Sequence, residues 1–235
     1  MSKGKCNTFI EIQPWGSTEY TVLKGSYTSF NTSKAKIDLI TNPYYGRMLF
    51  IDGVLQSAES DEKLYHAEIV NCILPKGSNC PRNLLIAGGA EGALAKEIFS
   101  RFDKTNVIMV DWDETLVNHM KKETFAEGAF QNLRLFVIHN DILEYLKGSE
   151  SFDAIILDLL DPHTDEEINW LIDVCSLCLQ KSCNISINAG GDLEIKNKIL
   201  SRLYKIVKYE YTVSSKAIFI PSFQQEWYLI AITTI

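Results

Sequence analysis

At 235 residues the chain is too long for a disulfide-stapled miniprotein and short for three ordinary domains, which leaves one α/β domain with a small accessory piece. Its 46% hydrophobic and 23% charged residues exclude disordered, collagen-like and low-complexity chains. A formal charge of −7 argues against indiscriminate nucleic-acid binding and suits a cationic ligand.

No apolar run approaches the roughly 20 residues that span a bilayer. Met1 to Ile12 carries no long apolar signal core, so the expectation is a cytoplasmic protein with no membrane partner. Six cysteines in that setting read as reduced thiols. Cys175 and Cys178, with Cys183 beyond them, have metal-like spacing. They fall in a helical apolar pattern, however, and no second pair completes a tetrahedral site. Core packing is expected there, and no metal is assigned.

From Thr18 to about Gln56 the pattern is strand-like and broken by turns. Tyr20 to Leu23 ends at Lys24-Gly25, Lys36 to Ile40 at Asn42-Pro43, and Arg47 to Ile51 at Asp52-Gly53. Residues 1–58 are therefore expected as a small β domain and 59–235 as a second domain. The second opens with an amphipathic helix from Asp61 to Leu74, stopped by Pro75.

Apolar strands and amphipathic helices then alternate. Strands are predicted at Leu84 to Ala87, Val107 to Val110, Leu133 to Ile138, Ala154 to Leu157 and Ile185 to Ile187. Helices are predicted at Gly92 to Phe102, Glu114 to Lys122, Glu166 to Leu179 and Leu193 to Leu203, with another segment beginning at Ile142. Such alternation means a mostly parallel sheet covered by helices on both faces. Two late extended segments, about Tyr204 to Val213 and Glu226 to Thr233, imply a closing hairpin with an antiparallel strand. The fold class is α/β, a Rossmann-like sheet of the methyltransferase type behind a small N-terminal β domain.

In such a sheet the ligand lies beyond the carboxyl ends of the strands. After the first strand comes a Gly-rich turn, Gly88-Gly89-Ala90-Glu91-Gly92, that opens a helix and permits close backbone approach. After the next comes Asp111, about 20 residues on, where a carboxylate can accept from both ribose hydroxyls. After the third come Asp141 and Ile142. Asp141 can accept from an adenine amino group, can cap the helix behind it, or can do both. Glu91 repels a pyrophosphate or the carboxylate of S-adenosylmethionine and attracts an ammonium, although a plain helix-start position is the alternative.

After the fourth strand, Asp158-Leu159-Leu160-Asp161-Pro162 sets two carboxylates three residues apart at the mouth of the sheet. Helix caps explain many such pairs, but the following proline holds Asp161 extended, so both side chains can face one pocket. With Glu91 and Asp111 they form an anionic cluster that is costly unless a cation fills it.

Tyr45-Gly46-Arg47, the run from Ile51-Asp52-Gly53 through Glu59, Asp61-Glu62 and Tyr65-His66 resemble, almost position by position, the N-terminal signature of the polyamine aminopropyltransferases. That family comprises spermidine, spermine and thermospermine synthases, and the likeness runs from about Tyr45 to Ile232. Glu91, Asp158 to Pro162, and Ile220-Pro221-Ser222-Phe223 with Trp227 look closest to the thermospermine synthase branch.

The resemblance implies transfer of an aminopropyl group from decarboxylated S-adenosylmethionine, a co-substrate, to spermidine or putrescine, with methylthioadenosine released and no prosthetic group. It implies Gly88, Gly89, Glu91, Asp111, Asp141 and Ile142 as the donor site, with Glu91 on the donor's amino group. By the same likeness Asp158 is the base, assisted by Tyr65, and His66 and Asp161 hold the acceptor amine. On an unremarkable helix, Tyr65 and His66 would instead be partly packed surface. A homodimer is implied as well.

The chain departs from the family in lacking a glutamine near Ser33 to Lys36, in Ala90 within the Gly-rich turn, and in His163-Thr164-Asp165-Glu166, which replaces a proline-containing lid. A small-molecule methyltransferase and a catalytically weak polyamine-binding homologue are the alternatives. Glu91 and the Asp158/Asp161 pair speak against the first, and the shortened lid favours the second.

Overall fold

The computed structural model describes residues 7–13, 16–74, 80–123, 128–182 and 184–234. The chain forms two compact units, Met1–Lys63 with Pro221–Gln224, and Leu64–Ile220 with Gln225–Ile235.

The first unit is antiparallel β structure. Strands β1 (Asn7–Gln13) and β2 (Gly16–Val22) pair with each other. Strands β3 (Thr28–Asn31), β4 (Lys36–Asn42), β5 (Gly46–Ile51) and β6 (Val54–Ala58) form a second sheet in chain order. The Asp52-Gly53 turn between β5 and β6 has φ of 50° and 82°, the left-handed pair that a tight hairpin requires. Tyr20, Ile40, Met48 and Phe50 make its core, with Phe9, Tyr45 and Phe223 packed against them. The buried Glu11 accepts from Tyr20 Oη and Leu55 N, both at 2.9 Å, and so fastens β1 to β6.

β1 and β3 were not expected. β3 is short and mostly polar, whereas β1 carries Phe9, Ile10 and Ile12 but leaves both isoleucines exposed, so pairing with a neighbour defines each strand.

The second unit is built on a seven-stranded sheet. Its strands are β7 (Asn83–Gly88), β8 (Asn106–Asp111), β9 (Leu135–His139), β10 (Ala154–Asp158), β11 (Ile185–Asn188), β12 (Tyr211–Ile220) and β13 (Gln225–Thr234). Their order is β12-β13-β11-β10-β7-β8-β9, with β7 to β11 parallel and β13 antiparallel to both of its neighbours. The expected mostly parallel sheet with an antiparallel closing strand is present.

Helices α1 (Glu62–Asn71), α2 (Ala93–Arg101), α3 (Glu114–Met120), α4 (Ile142–Gly148), α5 (Asp165–Cys178) and α6 (Leu193–Ile206) connect and cover these strands. Leu146 of α4, Ile168 and Cys175 of α5, and Ile199 of α6 pack in one cluster with Leu85, Ile155 and Ile187 of the sheet. Each fully buried aliphatic side chain there stabilises the fold by about 1.5–3 kcal/mol. Among the described residues no helix is long and apolar enough to cross a membrane.

Several boundaries differ from the sequence reading, most of all that of β12, which runs from Tyr211 to Ile220 where an extended segment from about Tyr204 to Val213 is expected. Residues 204–206 are helical rather than extended, because the stripe Ile195, Ile199, Leu203 continues to Ile206 on the same core. Leu133 and Arg134 precede β9 in a turn held by Arg134 N donating to Asn132 Oδ1 at 3.0 Å. α1 ends at Asn71, and residues 72–74 continue in the tighter geometry of Ile73 N to Val70 O and Leu74 N to Asn71 O, each 3.2 Å.

Candidate active site

β7 lies between β8 and β10, and the chain turns to opposite sides of β7 as it enters them. That reversal opens a crevice beyond the carboxyl ends of β7 and β10. Gly88 and Asp158, the last residues of these strands, face each other in the parallel register. Gly88 has φ of 84°, and a Cβ there would lie 2.1 Å from the Asp158 carbonyl oxygen. Gly92, at φ 77°, is the left-handed N-cap of α2. The turn therefore needs glycine at both ends, while Ala90 occupies a position without that constraint.

Asp111 ends β8 and is buried. Its Oδ1 accepts from Asp113 N at 2.8 Å, and the Ala90 amide also donates to the carboxylate, tying β8 to the Gly-rich turn. Burial pushes its carboxyl above the ordinary range while these amides pull it down. Asp141 is the N-cap of α4, accepting from Leu143 N at 2.8 Å and Glu144 N at 3.3 Å. Both bonds go to Oδ1, so Oδ2 takes no part in the cap. The Ile142 side chain lies in the sheet core, so its backbone is the part it can present to a nucleoside.

Helix α1 buries His66, Ile69 and Val70 on one face, which sets Tyr65 and His66 toward the strand ends. Tyr65 Oη donates to Asp158 Oδ1 at 2.6 Å. His66 Nε2 lies 3.5 Å from Glu91 Oε1. Burial, then the charges of Asp158, Asp161 and Glu91 around the phenol, push Tyr65 well above its ordinary pKa.

Burial pushes Asp158 up to about 6, with the Tyr65 bond lowering it and the charge of Asp111 raising it. Burial likewise pushes Asp161 up to about 7, with a bond from Asn188 lowering it and the charge of Asp158 raising it. Such groups change charge near neutral pH, where a positioned base acts best.

Asn188 was missed by the sequence reading. It ends the short β11, donates from Nδ2 to Asp161 Oδ1 at 2.9 Å, and accepts from Trp227 Nε1 at 2.8 Å. Its place after the fifth parallel strand was the available signal. Trp227 is buried in this bond, whereas Phe223 packs in the core of the first unit.

His163 to Glu166, where the sequence reading places a shortened lid, lead into α5 with Thr164 as its N-cap. Thr164 and Glu167 form a reciprocal capping box, with Glu167 Oε2 also accepting from His163 N at 2.7 Å. Cys175 and Cys178 are buried core residues, and Cys183 lies outside the described residues.

A spermine/spermidine synthase domain matches residues 62–234, which take in the whole of this constellation. The chain belongs to the spermine/spermidine synthase family. Polyamine aminopropyltransferase of Aeropyrum pernix is 32% identical over 201 residues, covering 77% of this chain and 60% of the relative. Polyamine aminopropyltransferase 1 of Aquifex aeolicus is 36% identical over 159 residues, covering 66% of this chain and 56% of the relative. The chain thus spans somewhat over half the length of these two family members.

The fold is that of solved family structures. A spermidine synthase in complex with the transition-state analogue AdoDATO superposes with a TM-score of 0.84 at 18% identity, covering 100% of this chain and 83% of the other. The spermidine synthase of Thermotoga maritima gives 0.81 at 17% identity, covering 100% and 82%.

Proposed function

We propose that this protein is a polyamine aminopropyltransferase, moving the aminopropyl group of decarboxylated S-adenosylmethionine to spermidine or putrescine. The observation that carries the reading is the Tyr65–Asp158 bond, set beside Asp161 and Glu91 at the crevice where the strand order reverses. Those carboxylates match a substrate pair that carries ammonium groups at both ends.

Asp111 takes the ribose hydroxyls, and Asp141 with the Ile142 backbone takes the adenine. Glu91, beside His66, complements the donor's ammonium, while Asp161 with His66 takes the acceptor. The acceptor nitrogen attacks the aminopropyl methylene carbon bonded to the sulfonium. The new C–N bond forms as the C–S bond breaks, and the bonding pair leaves on sulfur as neutral methylthioadenosine.

A sulfonium leaves without protonation, so alignment and a neutral nitrogen are the main requirements. Desolvation lowers the amine from its ordinary pKa of about 10, and Asp158, held by Tyr65, accepts the proton as attack proceeds. Residues 59–235 form the catalytic domain of this reading, behind the β domain of residues 1–58. Family likeness adds a cytoplasmic homodimer.

The test is incubation of the protein with the decarboxylated donor and, separately, putrescine, spermidine and spermine. Methylthioadenosine with one of the first two is expected; none with any amine overturns the reading. Asp158→Asn is expected to lower turnover by about 10²–10⁴-fold while retaining donor binding, and near-normal turnover contradicts its role as base.

A further inference from the structure

We propose that Asn188 is a positioning residue for acceptor recognition, its amide locking Asp161 and Trp227 into one arrangement; this rests on the aminopropyltransferase reading above. Asn188 Nδ2 donates to Leu159 O at 3.0 Å and to Asp161 Oδ1 at 2.9 Å. Asn188 Oδ1 accepts from Trp227 Nε1 at 2.8 Å and Gly190 N at 3.1 Å. A side-chain amide has two N–H donors and two carbonyl lone pairs, so all four of its bonds are made within the protein. The orientation of the amide is forced, because the indole and backbone N–H groups only donate and the Leu159 carbonyl only accepts. With nothing left for substrate, Asn188 acts through Asp161.

The surrounding loop leaves Asp161 little room. Gly190, at φ +74°, sits so close that a Cβ would lie 3.2 Å from Asp161 Cβ and Cγ. At Gly191 a Cβ would meet Gln225 Nε2 at 2.6 Å. The loop after β10, the loop after β11 and strand β13 are thus joined around one amide. The Asn188 bond also favours the charged form of Asp161 against burial and the neighbouring Asp158, with the Tyr65 phenol as the other titratable group facing it. Removing the amide leaves Asp161 more protonated near neutral pH and free to rotate, and each change weakens its grip on an ammonium.

The experiment uses the full chain with Asn188→Ala and Trp227→Phe. Spermidine binding is measured by calorimetry at pH 6.5 and 8.5, donor and acceptor KM are measured separately, and the Trp227 emission is taken as the difference from Trp227→Phe. Asn188→Ala is expected to weaken spermidine about tenfold or more, the scale of a hydrogen bond to a charged group, and more strongly at pH 6.5 than at 8.5. Donor KM is expected to stay within about twofold, and the indole emission to shift as its hydrogen bond is lost.

Trp227→Phe keeps an aromatic ring and removes one N–H, so a smaller loss in the same direction is expected; this variant also serves if Asn188→Ala fails to fold. Unchanged spermidine binding, or a parallel rise of both KM values with a lowered melting temperature, overturns the proposal. If the wild type makes no methylthioadenosine, the functional reading fails alone, and spermidine binding with the indole emission still decides the role of Asn188. A wild type that binds no amine overturns both.

Discussion

Gly88 and Asp158 lie opposite each other at the ends of two parallel strands, so close that a side chain on the first would strike the main chain of the second. Asp158, the proposed base, and the Gly-rich turn therefore share one backbone seam. Gly88→Ala is expected to destabilise the protein by more than about 1–2 kcal/mol, since left-handed φ alone costs that much for a non-glycine residue. Donor binding is lost with it. Chemical denaturation and calorimetry check this, and a variant of wild-type stability and affinity contradicts it.

Tyr65→Phe removes a 2.6 Å donor that favours the ionised form of Asp158. Asp158 then holds its proton to higher pH, so the acid limb of the kcat/KM profile moves upward. Turnover at neutral pH is expected to fall about 10–100-fold, the scale of a hydrogen bond to a charged group. A pH–rate series checks this, and an acid limb that stays in place contradicts the coupling.

The raised carboxyls also fix how stability depends on pH. Asp158 and Asp161 titrate near 6 and 7 when folded, against about 3.9 in the unfolded chain. Folding takes up protons in that window, so their contribution is to lower stability as pH rises from about 4 to about 7. Asp158→Asn and Asp161→Asn are expected to flatten the decline, and saturating spermidine to offset it. Urea denaturation at several pH values measures both effects, and the same slope in wild type and variants contradicts them.

Thiol chemistry distinguishes core from surface. Burial pushes Cys175 and Cys178 above the ordinary thiol range, whereas Cys80 is exposed. Alkylation of the native protein, mapped by peptide mass, is expected to modify Cys80 and to spare Cys175 and Cys178 until denaturant is added. Rapid native labelling of either buried thiol contradicts their place in the core.

Much of the second unit was legible because its strands are continuous apolar runs and the candidate site residues follow them directly. Asp111 and the Asp158/Asp161 pair stand where strand ends put them. Asn188 escaped notice because its role depends on a tryptophan 39 residues away, a pairing that exists only once β13 lies beside β11. The capping box at Thr164 and Glu167 was not read from the sequence, since it uses polar residues of the kind expected on a surface loop. β1 and β3 were hidden for a related reason, because their residues follow the needs of a partner strand.

The most direct measurement is mass analysis of one reaction containing the protein, putrescine, spermidine, and equal amounts of S-adenosylmethionine and its decarboxylated form. The Glu91 and Asp158/Asp161 cluster predicts methylthioadenosine and one of the two amines lengthened by one aminopropyl group. S-adenosylhomocysteine with a methylated amine, or no product from either donor, contradicts the account.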